Sequence, residues 1–193
     1  MLPAPLLLAL GALGLAVPVS SLGTGAAVAA GFSPEEDCTA FAVDAIDRAE
    51  TQILVNAYGL TTTSGTVEAL IRARWRGVDV RLIADRATPC GRNSGIEPLA
   101  RAGIPIWIDH SARIAHSKSM VIDGKVTLTG SMNWTGGAAY NSENLNLIAS
   151  PTIAAAYAGH WHQRLALSSA YIQRDDSCRR PEVADFKSEL PPR

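Results

Sequence analysis

The sequence predicts an α/β domain, a mixed β-sheet flanked by helices, and three observations lead there. Between residues 33 and 109, apolar runs of strand length alternate with helical spacing, the order of parallel strands joined by crossover helices. After residue 113 three further strand-like runs follow without intervening helices, so the sheet must also contain antiparallel pairs. The chain has 193 residues, of which 47% are apolar and 18% charged, and this suits one ordinary globular domain rather than a disordered or fibrous chain.

Met1 to Ala30 carries no charged side chain; Leu6 to Val19 is apolar apart from glycines and Pro18, and Ala27-Val28-Ala29 has the small-x-small form of a cleavage site. Residues 1–29 therefore read as a secretory signal peptide, placing the remainder in a secreted or periplasmic setting. The alternative is an N-terminal membrane anchor, since Leu2 to Ala30 is long enough to span a bilayer. Ser33-Pro34-Glu35-Glu36 reads as a helix start, with Ser33 as cap and Phe41, Ala42, Ala45, Ile46 and Ala49 on one face. Gln52 to Tyr58 is a buried strand. Thr66 to Trp75 is a helix with Val67, Leu70, Ile71 and Trp75 inward, ended by Gly77. Val78 to Asp85 is a strand, Ser94 to Ala102 a short helix, and Ile104 to Asp109 a third strand.

Ile114 to Asp123 and Lys125 to Thr129 then form a hairpin around Asp123-Gly124, a two-residue turn signal. Asn144 to Ala149 is the next strand. Ser150-Pro151 caps a last helix to about Ala166, with Ile153, Tyr157, Trp161 and Leu165 inward. The folded domain spans residues 32–171, and the charged, proline-rich residues 172–193 read as a disordered tail.

Seventeen Lys and Arg oppose eighteen Asp and Glu, a balance that argues against a protein coating nucleic acid by bulk charge; any phosphate recognition must be local. Of the three cysteines, Cys38 and Cys90 are the preferred disulfide pair, because Cys178 lies in the polar tail. No cysteine or histidine spacing suggests a metal site, and no cofactor is expected.

The chemistry gathers in the hairpin. Side chains alternate along a strand, so His116 and Lys118 share a face, and Ser131 and Asn133 share one on the return. Asp123 is seven residues from His116, an odd separation, and sits at the turn away from it. Pairing the strands brings the four polar groups to one end, where Gly130 would allow close approach of a ligand. Three donors around one imidazole, with no carboxylate cluster for a metal, suit a tetrahedral phosphate. Glu143 is a downstream acid that can accept the Nδ1 proton of His116 and leave Nε2 free as a nucleophile.

His116-x-Lys118-x4-Asp123-x6-Gly130-Ser131-x-Asn133 resembles the HxKx4Dx6GSxN signature of the phospholipase D superfamily at every fixed position, and residues 32–171 are similar to its small secreted single-motif branch. The resemblance implies a phospholipase D-like fold and a metal-independent phosphodiesterase, an endonuclease or phospholipase D-type hydrolase. It implies that His116 forms a phosphohistidine, Lys118 and Asn133 hold non-bridging oxygens, Ser131 adds a hydrogen bond, Glu143 orients His116, and Asp123 is structural. A chain with one motif then needs a homodimer with a shared active site. The phosphodiester substrate is DNA, RNA or phospholipid, and the runner-up is a non-catalytic nucleic-acid-binding module retaining the fold. His160 and His162 diverge on their helix and read as ordinary surface positions. Arg72, Arg74 and Arg76 read as a solvated helix face; Arg81, Arg86 and Arg92 are the candidates for added phosphate contacts near a strand end.

Overall fold

Eight strands form one mixed sheet in the computed structural model, which describes residues 26–172. In chain order they are β1 (Ala27–Ser33), β2 (Gln52–Ala57), β3 (Asp79–Asp85), β4 (Ile106–Asp109), β5 (Ser119–Ile122), β6 (Val126–Gly130), β7 (Glu143–Ala149) and β8 (Ser168–Ala170). The spatial order is β1-β7-β6-β5-β2-β3-β4-β8. β2, β3 and β4 are parallel, as the strand-helix alternation requires, and the remaining pairings are antiparallel.

The helices are α1 (Cys38–Asp47), α2 (Thr66–Trp75), α3 (Ile96–Arg101) and α4 (Pro151–Leu165). Alternation along the central strands assigns each side chain to one of two cores. Ile53, Val55, Val80, Leu82, Met120 and Ile122 point to the side that packs α1, α2 and α3. Leu54, Ile83 and Val121, of the opposite parity on the same strands, meet Ala154 and Trp161 of α4 on the other side. Both buried tryptophans are tied to β2: Trp134 donates its indole N–H to the Asn56 carbonyl at 3.1 Å and Trp161 to that of Val55 at 2.9 Å.

Several expectations change. β1 is a strand the residue pattern did not announce, pairing Ala27 to Ser33 with Ala149 to Glu143; residues 1–25 lie outside the described residues, as does the tail from residue 173. Ser33 is not the cap of α1. Its buried hydroxyl donates to the carbonyls of Ala138 and Asn141, and the cap passes to Asp37, whose carboxylate accepts from Ala40 N–H at 2.8 Å. Trp75 is 76% exposed. The buried stripe of α2 continues through Leu70 and Ala73, and two residues further round is about 200° away. The segment before β5 is extended only from Ser119 as a paired strand. β8, a short run of small residues, carried no apolar signal. Cys38 is buried and free, whereas Cys90 is disulfide-bonded, so they are not partners; Cys178 is outside the described residues.

The hairpin turn is as the Asp-Gly pair requires, with Asp123 and Gly124 both left-handed at φ 53 and 64. The Asp123 carboxylate does further work. It accepts from the backbone N–H groups of Glu50, Thr51 and Gln52 and from the Thr51 hydroxyl, while its own N–H donates to the Gln52 carbonyl. Partial burial pushes the carboxyl up, but these donors outweigh it and hold it below the ordinary carboxylate range. A lowered folded-state value means the stabilisation is complete above the unfolded value of about 3.9 and fades as pH falls through the folded one. Asp123→Asn is therefore expected to lose about 1–3 kcal/mol in urea denaturation at pH 7, with the gap to wild type closing toward acid pH. A gap that is the same at pH 3 and pH 7 would count against this bracket.

Candidate active site

The open end of the β5–β6 hairpin, opposite Asp123, gathers the polar residues of the motif. Asp85 at the end of β3, buried, receives Ala115 N–H at 2.7 Å and Ala87 N–H at 2.9 Å, which fixes the extended segment leading to His116. His116 is exposed, and Lys118, two residues on, is buried on the same side. The Lys118 ammonium lies 2.8 Å from Nδ1 and 3.0 Å from Nε2 of His116 and donates to the His116 carbonyl at 2.8 Å. Tyr58, just beyond β2, supports both: its ring centroid is 4.3 Å from that of His116 and 5.0 Å from the Lys118 nitrogen. Burial pushes the Lys118 ammonium below its ordinary value, and the Glu143 carboxylate opposes that shift.

On the return strand, the Ser131 hydroxyl donates to Glu143 at 2.5 Å and accepts from Asn144 N–H at 3.0 Å. Glu143 also accepts from the Asn141 amide at 3.2 Å. Among the described residues Glu143 thus holds Ser131, and in place of the expected hydrogen bond from the His116 ring to Glu143 the ring meets the Lys118 ammonium. Asn133 uses its amide oxygen to accept Gly59 N–H at 3.2 Å, next to Tyr58; its amide nitrogen has no hydrogen bond among the described residues. Met132 and Trp134, on either side of Asn133, are fully buried beneath the site.

Gly130 corrects a second expectation. A Cβ there would lie 2.1 Å from the Asn144 carbonyl oxygen, so the close approach that requires the glycine is that of β6 to β7. Arg81 sits within β3 and pairs with Asp79 at 3.0 Å, Arg72 and Arg76 bridge Asp47, and Arg86 donates to the Arg113 carbonyl and lines a cavity separate from the two beside His116.

Sequence reading missed three contributors. His160 does diverge from His162, yet it lines both cavities that adjoin His116. Tyr157 and Arg164 flank it at helical spacing on α4, and Arg164 is anchored to the buried Asp109 carboxylate at 2.8 Å. Burial pushes the Asp109 carboxyl up, but Arg164 and Ser111 together hold it below the ordinary carboxylate range. The i, i+3, i+7 spacing of 157, 160 and 164 was visible, but nothing local says which side of a sheet such a ridge will face. Among the described residues no group of three His, Cys, Asp or Glu is placed to hold a metal ion.

A mixed sheet whose central hairpin delivers an exposed imidazole and a buried ammonium to one edge defines a phospholipase D-like domain. A family model described as "Cardiolipin synthase, PLD-like domain" matches residues 42–165, and the chain belongs to the phospholipase D superfamily. It is 40% identical over 136 residues to a "Phospholipase D" of Rickettsia felis, covering 70% of this chain and 68% of that protein. The solved structure of Nuc, a phospholipase D family member from Salmonella typhimurium, superposes with a TM-score of 0.71 and 34% identity over 77% of this chain and 100% of Nuc. A "Mitochondrial cardiolipin hydrolase" of Xenopus tropicalis is 40% identical over 90 residues, 46% of this chain and 43% of the relative.

Because no conformational change of one residue relieves a backbone clash, Gly130→Ala is expected to destabilise the domain by roughly 3 kcal/mol, read as a lowered thermal midpoint. A variant that melts with wild type would show that β6 and β7 can part without cost.

Proposed function

We propose that the chain is a phosphodiesterase that hydrolyses its substrate through a phosphohistidine on His116 without a divalent metal, acting as a non-specific endonuclease or a phospholipase D-type hydrolase. The observation that carries the reading is the exposed His116 imidazole within 3.0 Å of the buried Lys118 ammonium. An exposed imidazole is a nucleophile near neutral pH, and a partly desolvated ammonium is a strong electrostatic stabiliser of phosphoryl oxygens.

In the proposed cycle an imidazole nitrogen of His116 attacks phosphorus, the P–N bond forms and one P–O ester bond breaks. Lys118 turns from the ring to the non-bridging oxygens, joined by the free amide nitrogen of Asn133. Ser131, held by Glu143, adds a hydrogen bond, so Glu143 acts through Ser131 as a positioning residue. The departing oxygen needs a proton. The motif occurs once in this chain, so His116 of the partner subunit in a homodimer supplies it and then takes a proton from the water that cleaves the P–N bond. The relatives named phospholipase D and cardiolipin hydrolase support lipid diesters as substrates, and nucleic acid is the other class of phosphodiester with the same bond.

Plasmid DNA, RNA and phosphatidylcholine are the substrates to assay in EDTA. Wild type is expected to cleave at least one, His116→Asn to lose at least ~10³-fold, and Lys118→Ala to lose ~10²-fold or more in kcat. Sedimentation should find a dimer. Equal inertness of wild type and His116→Asn on all three sinks the enzymatic reading, and an active strict monomer sinks the shared site.

A further inference from the structure

His116 stands at the boundary between two cavities, of about 190 and about 410 Å³, which have His116, Ser117 and His160 in common. A phosphodiester centred on that imidazole carries two ester groups, and each cavity offers room beside His116 for one of them. Their linings differ. The larger runs along the motif residues Lys118, Gly130 and Ser131. The smaller has apolar walls that include Ile83, Ile114 and Ala115, and polar positions at Asn56, Asp109, His160 and Arg164.

The smaller cavity is charge-balanced. Arg164 donates to Asp109 through Nε at 2.8 Å, and Asp109 also accepts from the N–H and hydroxyl of Ser111, so neither charge is left over for an ionic ligand. A second phosphate would meet a guanidinium already neutralised by a buried carboxylate. Hydrogen-bonding capacity does remain. Asn56 is 7% exposed and spends its amide nitrogen on the Ser119 hydroxyl at 3.2 Å, while its amide oxygen has no hydrogen bond among the described residues. The His160 ring and the Ser117 hydroxyl likewise make no hydrogen bond among the described residues. An acyl chain lying there would desolvate these groups without pairing them. A group that both donates and accepts would satisfy them, and a hydroxyl does both.

We propose that the smaller cavity binds a compact, uncharged, hydroxyl-bearing group on one ester oxygen of the phosphate, and that His160 is the residue of α4 that selects it. The inference rests on the phosphodiesterase reading above. A terminal pentose with a free hydroxyl and a polyol head group share this chemistry, and the cavity, smaller than the roughly 300 Å³ at which drug-sized sites begin, is too small to enclose a diacylglycerol. The helix supplies the selecting residue from the opposite face of the sheet to α1, α2 and α3, at the point where Tyr157 turns to the larger cavity and Arg164 to the smaller.

Three diesters that release 4-nitrophenolate test this in EDTA: bis(4-nitrophenyl) phosphate, with no hydroxyl on either group, thymidine 5′-(4-nitrophenyl phosphate), and glycerol 4-nitrophenyl phosphate. The readout is the kcat/KM of each hydroxylated diester relative to the bis-nitrophenyl one. His160→Ala is expected to lower that ratio about tenfold through KM, Ile114→Trp, which narrows the cavity, to lower it as well, and His160→Gln, which keeps an N–H donor, to recover most of it. The arm with the larger loss identifies the pentose or the polyol as the better occupant. A ratio within twofold of wild type in both His160→Ala and Ile114→Trp overturns the assignment, as does a parallel fall on all three diesters. A wild type inert on all three overturns the phosphodiesterase reading and this inference together, whereas unchanged ratios in an active enzyme overturn the inference alone.

Discussion

The carboxylate of Asp123 brackets the sheet. Three successive backbone donors, from Glu50 to Gln52, converge on it from the loop that ends α1 and begins β2. This fixes the register of β2 against β5, which pair from Ile53 with Ile122 to Asn56 with Ser119. A slip of one residue would turn His116 and Lys118 into the opposite layer. The hairpin is therefore pinned at its closed end so that its open end arrives beside Tyr58, just past β2, and Asp85, at the end of β3, two of the three parallel strands. The chemistry at one edge depends on a hydrogen-bonded turn at the other.

Phosphate chemistry in a chain of net charge −1 requires placed charge, not abundant charge. Most arginines for which a partner is described neutralise a nearby carboxylate: Arg72 and Arg76 on Asp47, Arg81 on Asp79, Arg101 on Glu97, Arg164 on Asp109. Lys118 differs in that its nearest groups are an imidazole, a carbonyl and an aromatic face. Such an ammonium is satisfied in the absence of substrate yet committed to no counter-ion.

The hairpin and its convergence were legible in the residues because strand parity is a strict rule and the Asp-Gly turn sets the register. The helices of residues 66–75 and 151–165 were legible for a similar reason, through periodic faces and, for α4, the Ser150-Pro151 cap. What escaped depends on tertiary contact. β1 is built of small residues on an exposed edge and exists because β7 offers it a ladder, which its own composition does not announce. The Ser33 hydroxyl was claimed by carbonyls more than a hundred residues away rather than by its own helix. Glu143 chose Ser131, its neighbour across the β6–β7 pairing, over a histidine whose distance in the fold no spacing reports.

Gly130 bears on how such a motif should be interpreted elsewhere. Its missing side chain answers to a carbonyl on the adjacent strand, and Asp123 answers to three amides on a distant loop. Both are demands of assembly. A descendant that had lost all catalysis would still be obliged to keep them, so finding them intact certifies an architecture and says nothing of turnover. Under the proposed cycle, the diagnostic weight for activity falls instead on the exposed imidazole and its lysine.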